Sequence, residues 1–138
     1  MSGALLSLLL LAQAAQGPAV PDVPPGAAPD WTTMPDLPWR QPPQITPAMH
    51  HYVQAQTRTR HCRLRRTVDG RPAFRVEVAV LVHPEDGVRT TIPRAIGCAS
   101  VEQYAAGLVT SFARNNLTPR TASGEQWYRA TMTFIWAK

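Results

Sequence analysis

The sequence is almost without lysine. Lys138 is the only one, and arginine supplies the rest of the basic charge. Cysteine is scarce too, with only Cys62 and Cys98. The glycines of the carboxy-terminal two-thirds stand apart, as at Gly70, Gly87, Gly97 and Gly107, so no glycine-rich loop is present to cradle a phosphate. No apolar run reaches the roughly 20 residues that a membrane-spanning helix needs, which excludes a span from the expected mature chain. No nucleophile–base set or paired carboxylates emerge outside turns. Glu85-Asp86 stands beside Gly87 and reads as turn chemistry, and His83 as a solvated strand end. The chain is therefore not read as an enzyme, and no cofactor is expected. His61 beside Cys62, and the pair His50-His51, match no zinc-ligand spacing, so no metal is expected either.

Proline is abundant and uneven. Ten of the 14 prolines precede Ala48. Proline fixes its own backbone angle and lacks a donor, so neither helix nor sheet propagates through such a stretch. Residues 17–47 are expected to form a disordered or extended tail or linker. At roughly 3 Å per residue it would reach on the order of 90 Å. Trp31, Leu37 and Trp39 are apolar outliers within it. They are read as docking on the folded part, the alternative being a partner-binding motif.

Before the prolines lies a leucine- and alanine-rich run from Ala4 to Ala15. It is about the length of the apolar region of a secretory signal and too short to cross a bilayer. Ala12-Gln13-Ala14 offers a small-x-small cleavage pattern, with further options one to three residues later. The segment before the run carries no lysine or arginine. Residues 1–16 are assigned to a cleaved signal peptide, which places the protein in the periplasm or outside the cell. In such a compartment an even cysteine count points to a disulfide, Cys62–Cys98.

Residues 48–138 are expected to fold as one domain. Its core is small, and a covalent staple helps a domain of this size. Thr46 and Pro47 mark a short helix with Met49, Tyr52 and Val53 on one face. Asp69-Gly70 is a hairpin signal. From Ala73 to His83 valine alternates, with Val76, Val78, Val80 and Val82 on one face of a strand and Glu77, Ala79, Leu81 and His83 on the other. A turn at Pro84–Gly87 leads to a returning strand, Val88–Ile92, ended by Pro93. Ser100 and Gln103 form a capping-box pattern before a helix with Val101, Tyr104, Ala105, Leu108, Val109 and Phe112 on one face. Asn115, Asn116 and Pro119 end it. A last strand runs from Trp127 to Trp136, with Tyr128, Ala130, Met132, Phe134 and Trp136 on one face. The expected class is α+β: a small antiparallel sheet of three to four strands, one main helix packed on it and a short preceding helix.

The net charge is +5, and Arg58, Arg60, Arg63, Arg65, Arg66 and Arg71 crowd the start of the domain. The first five form a candidate anion-binding patch. No aromatics interleave with them, so stacking on single strands is not indicated. A solvated face is the plainer reading, and nucleic acid is not the expected partner.

The run from Phe74 to Trp136 resembles the carboxy-terminal domain of the TonB family of energy transducers. The resemblance is carried by Val76-Glu77-Val78-Ala79-Val80-Leu81-Val82, the Glu85-Asp86-Gly87 turn, Val88–Pro93, Ala105-Ala106-Gly107-Leu108, Phe112-Ala113-Arg114 with Pro119, Ser123-Gly124, and Met132-Thr133-Phe134-Ile135-Trp136. The family's membrane helix and its tyrosine-proline motif have no counterpart here, and Ser100-Val101-Glu102 replaces its leucine-aspartate pair. The resemblance implies a periplasmic protein-interaction module, linked to outer-membrane transport, that pairs an exposed strand with a partner's strand. The implied partner is an outer-membrane receptor or another envelope component. The candidate edge is the last strand, at Trp127, Arg129, Thr131, Thr133 and Ile135. Two alternatives stand beside it: a secreted binding protein or inhibitor, and a basic protein bound to an envelope polymer or nucleic acid through the arginine cluster. No oligomeric state is indicated.

Overall fold

The fold is that of a computed structural model. It describes residues 28–62, 71–119 and 124–136, and the backbone alone of 66–68. The assigned signal peptide lies outside the described residues. The chain is α+β, with the order α1 (Pro47–Gln56), β1 (Arg66–Val68), β2 (Arg71–His83), β3 (Gly87–Pro93), α2 (Ala99–Ala113) and β4 (Gln126–Ile135).

Strand β2 organises the sheet. It pairs antiparallel with β1, β3 and β4. Ala73 is opposite both Arg66 and Ile135, and Ala79 is opposite both Ile92 and Arg129. Strands β1 and β3 therefore share one side of β2, end to end, and β4 takes the other. Val68 stands opposite Arg71; the Asp69-Gly70 hairpin signal between them lies outside the described residues. Gly87 closes the next turn with φ at +80°, a conformation that glycine adopts without strain.

The valine alternation decides which face is the core. Val76, Val78, Val80 and Val82 are fully buried, with Tyr128, Ala130, Met132 and Phe134 beside them on β4. Each buried valine stabilises the fold by about 1.5–3 kcal/mol. Val101, Ala105, Ala106, Val109 and Ala113 of α2 and Val53 of α1 lie on the same face, in one cluster with the sheet. Of the expected α1 stripe, Val53 alone is fully buried. Tyr52 is exposed and lies on Tyr104, with ring centroids 4.3 Å apart.

The helix ends follow local chemistry, with one correction. Thr46 Oγ1 accepts from the Met49 N–H at 3.3 Å, and Pro47 opens α1, as the sequence indicates. The capping box at Ser100 and Gln103 does not form, because α2 starts earlier, with Cys98 at its cap position and no side-chain cap bond. Glu102 does the work from one position before Gln103. Its carboxylate accepts from the Cys98 N–H at 3.0 Å and the Ile96 N–H at 3.3 Å, a geometry also favoured by the positive end of the helix. At the far end Asn115 takes the left-handed conformation, with φ at 53°.

Cys62 and Cys98 form a disulfide with Cα atoms 4.3 Å apart. It ties the segment after α1 to the start of α2.

The folded unit begins well before Ala48. Trp31, Leu37 and Trp39 dock on the domain, as read from the sequence. Leu37 is buried in the main core, and Trp39 packs against it. Trp31 packs against a second cluster, formed by Met34, Ala79 and Trp127 on the opposite face of the sheet. Met34 carries no local signal, yet it is buried. After a turn at residues 31–33, its apolar side chains hold this segment to the fold.

Candidate functional site: the outer edge of the last strand

Backbone groups of a strand point alternately to its two sides. Arg129 fixes the phase for β4. Its N–H donates to Pro35 O at 2.8 Å, and its C=O accepts from the Leu37 N–H at 2.7 Å. Arg129 therefore faces away from β2, and Trp127, Thr131, Thr133 and Ile135 share its phase. These are the residues that the sequence singled out, and the structure brings them onto one outer edge.

The edge is not uniformly open. Its first half is covered by the chain itself. Residues 35–37 run alongside β4 as a short added strand, with Asp36 bridging Arg129 in parallel. The Arg129 guanidinium also donates through Nη2 to Trp31 O. Its Nε is buried with no partner among the described residues. Arg94 stands over the Trp31 ring, 5.3 Å from its centroid, and pairs with Glu77 at 2.8 Å. Asp30 begins this strap. Its carboxylate accepts from the Thr32 hydroxyl at 2.6 Å and the Thr32 N–H at 3.0 Å, and these bonds hold its pKa below the ordinary aspartate value. Trp127 is buried beneath the strap.

The far end of the edge is also closed. The Ile135 N–H donates to His50 Nδ1 of α1 at 3.0 Å. Between strap and helix lie Thr131 and Thr133. On that side their backbone groups have no partner among the described residues. Thr131 is exposed and Thr133 half-buried.

The opposite edge, on β3, is blunted. The register shifts between Leu81 and Val82, so Arg89 is left over as a bulge, and Pro93 has no N–H to offer. Bulges and prolines are the usual means of discouraging strand addition. Thr131 to Thr133 is thus the stretch best suited to receive an incoming strand.

The other candidate residues do not converge with this edge. Arg58 and Arg60 are exposed beyond the end of α1. Arg63 and Arg65 lie outside the described residues, and Arg66 is described only as backbone paired with Ala73. His83 is engaged in its turn, where Nδ1 accepts from the Glu85 and Asp86 N–H groups at 3.2 Å. A polar cleft of about 490 Å³ opens at the end of α2, lined in part by Arg40, Glu85, Asp86, Arg114 and Asn115. Among the described residues no group of three or more His, Cys, Asp or Glu is placed to hold a metal, and no helix is long and apolar enough to cross a membrane. Compared with protein-family models, curated proteins and solved structures, the chain matches none.

Proposed function

We propose that this chain is an exported protein-interaction module, similar to the carboxy-terminal domain of the TonB family, that receives an extended partner segment on the outer edge of β4. One observation carries the reading. The edge already accepts an added strand from its own chain at Arg129, and the next outward-facing groups, at Thr131 and Thr133, have no partner among the described residues. Main-chain bonds of this kind give affinity without demanding one side-chain sequence. The order of a helix, a hairpin, a second helix and a final edge strand supports the family resemblance. The partner is proposed to be an envelope protein offering an extended segment, with an outer-membrane receptor the leading case. A periplasmic or secreted location follows from the assigned leader.

The test uses proline. Thr131→Pro or Thr133→Pro removes an N–H that faces away from β2, so the sheet's own ladder stays intact, and proline is tolerated on edge strands. Capture of membrane proteins from an envelope fraction by the wild-type protein should be lost with either variant while the melting temperature moves by only a few degrees. Unchanged capture by both folded variants would reject the β4 edge as the binding surface.

A further inference from the structure

His50 sits where an incoming strand on β4 would have to end. Its ring contacts β4: Nδ1 accepts from the Ile135 N–H at 3.0 Å, and the ring stands edge-on to Phe134, with centroids 6.3 Å apart and planes at 80°. An amide N–H can only donate. Nδ1 must therefore carry the lone pair, and the ring proton sits on Nε2. Imidazolium carries a proton on both nitrogens. A protonated His50 would set a donor against a donor at the Ile135 amide.

Among the described residues, the elements packed against the ring present no carboxylate to it. Helix α1 contains no Asp, Glu, Lys or Arg. Its other titratable groups are His51, which is exposed, and Tyr52, which lies on Tyr104. Strand β4 brings Tyr128 and also Arg129, which lies six residues up the strand and is engaged by the strap. Helix α2 brings Tyr104, packed on Phe134, and Glu102, whose carboxylate is held by the Cys98 and Ile96 amides. Lys138 lies outside the described residues.

We infer that His50 is a proton-operated stop on the β4 edge. Neutral, it closes the strand at Ile135 and leaves only Thr131 and Thr133 to a partner. Protonated, it lets go of Ile135, and the receiving edge lengthens to run from Thr131 to Ile135. Protonation then strengthens strand addition. The role in recognition rests on the function proposed above, whereas the closing and opening of the edge do not.

The test needs only the protein alone. Amide hydrogen exchange is followed by NMR from pH 8 to pH 5, each rate corrected for the intrinsic pH dependence of exchange, with the His50 ring resonances recorded in parallel. The Ile135 protection factor should fall roughly 2- to 12-fold, the equivalent of one net hydrogen bond, with the same midpoint as the His50 ring. Val78, in the centre of the sheet, should not change. His50→Phe keeps a ring but has no acceptor, so Ile135 should exchange fast at every pH. His50→Gln keeps an acceptor that does not titrate, so protection should no longer depend on pH. Ile135 protection that stays constant while the ring titrates would overturn the inference, as would wild-type protection in His50→Phe. Failure of the proposed function reads differently, as absence of partner capture at any pH with the exchange transition intact.

Discussion

Replacing Cys62 and Cys98 by alanine removes the tether between the chain after α1 and the start of α2. The half-cystines are 36 residues apart. In the chain-entropy picture, closing a loop of that length removes about 13 cal/mol/K from the unfolded ensemble, or about 4 kcal/mol at 25 °C. Both sulfurs are buried in the main core, so truncation adds a packing loss to the entropic one. A domain of this size has about 5–15 kcal/mol in total, so the loss is a large fraction of its stability. At about 4–8 °C per kcal/mol the melting temperature should fall by roughly 15–30 °C. Thermal unfolding by circular dichroism on wild type, wild type with reductant, and Cys62→Ala/Cys98→Ala measures it. Reductant isolates the tether, and the difference between reduced wild type and the double variant isolates the packing. Oxidised and fully reduced wild type melting within about 5 °C of each other would refute the reasoning. Because α1 carries His50, untethering should also cost the Ile135 amide protection before the centre of the sheet loses any.

Other consequences are smaller. Arg129→Ala removes the bond to Trp31 O and should cost about 1 kcal/mol, with faster exchange at the Leu37 amide as the strap loosens; unchanged Leu37 exchange would show that the backbone pairing suffices. Gly87→Ala has open space for its methyl but must hold φ at +80°, so about 1 kcal/mol of stability should be lost by denaturant titration. The Asp30 carboxyl is held below its ordinary pKa by the Thr32 bonds; its stabilisation is present above the ordinary value and lost as pH falls through the depressed one, so the Thr32 amide shift should move in that acid window. Burial, with a smaller contribution from Tyr52, raises the Tyr104 pKa; the fold should therefore weaken as pH climbs from about 10 towards that raised value, seen as a falling denaturation midpoint.

The sheet and both helices were legible because their signals are local. The alternation of Val76, Val78, Val80 and Val82 states a period of two, and Thr46-Pro47 states a helix start within two residues. The cap at Glu102 is not announced locally, because its partners, the Cys98 and Ile96 amides, lie before the serine that the capping-box pattern singles out. The second core was less legible. Met34, Ala79 and Trp127 meet across the fold, and no periodicity in the proline-rich segment announces that it lies on a sheet. The alternation along β4 states which side chains share a face, with Trp127, Arg129, Thr131, Thr133 and Ile135 on the phase opposite the main core. The outward direction of their backbone groups is set by the pairing with β2. The occupancy of that edge is not stated locally, because the bonds from Pro35 and Leu37 to Arg129 and from Ile135 to His50 join positions more than 80 residues apart. Such contacts are fixed by tertiary packing, which local propensity does not encode.

The most direct test of the central claim is site-resolved cross-linking on the intact protein. A photoreactive side chain is placed singly at Thr131, at Thr133 and, as a control on the opposite edge, at Thr90, and each protein is irradiated with an envelope fraction. The account predicts adducts to a common partner from Thr131 and Thr133 and none from Thr90, with the adducts abolished when the remaining edge threonine is changed to proline. Equal adducts from all three positions, or adducts from Thr90 alone, would contradict it.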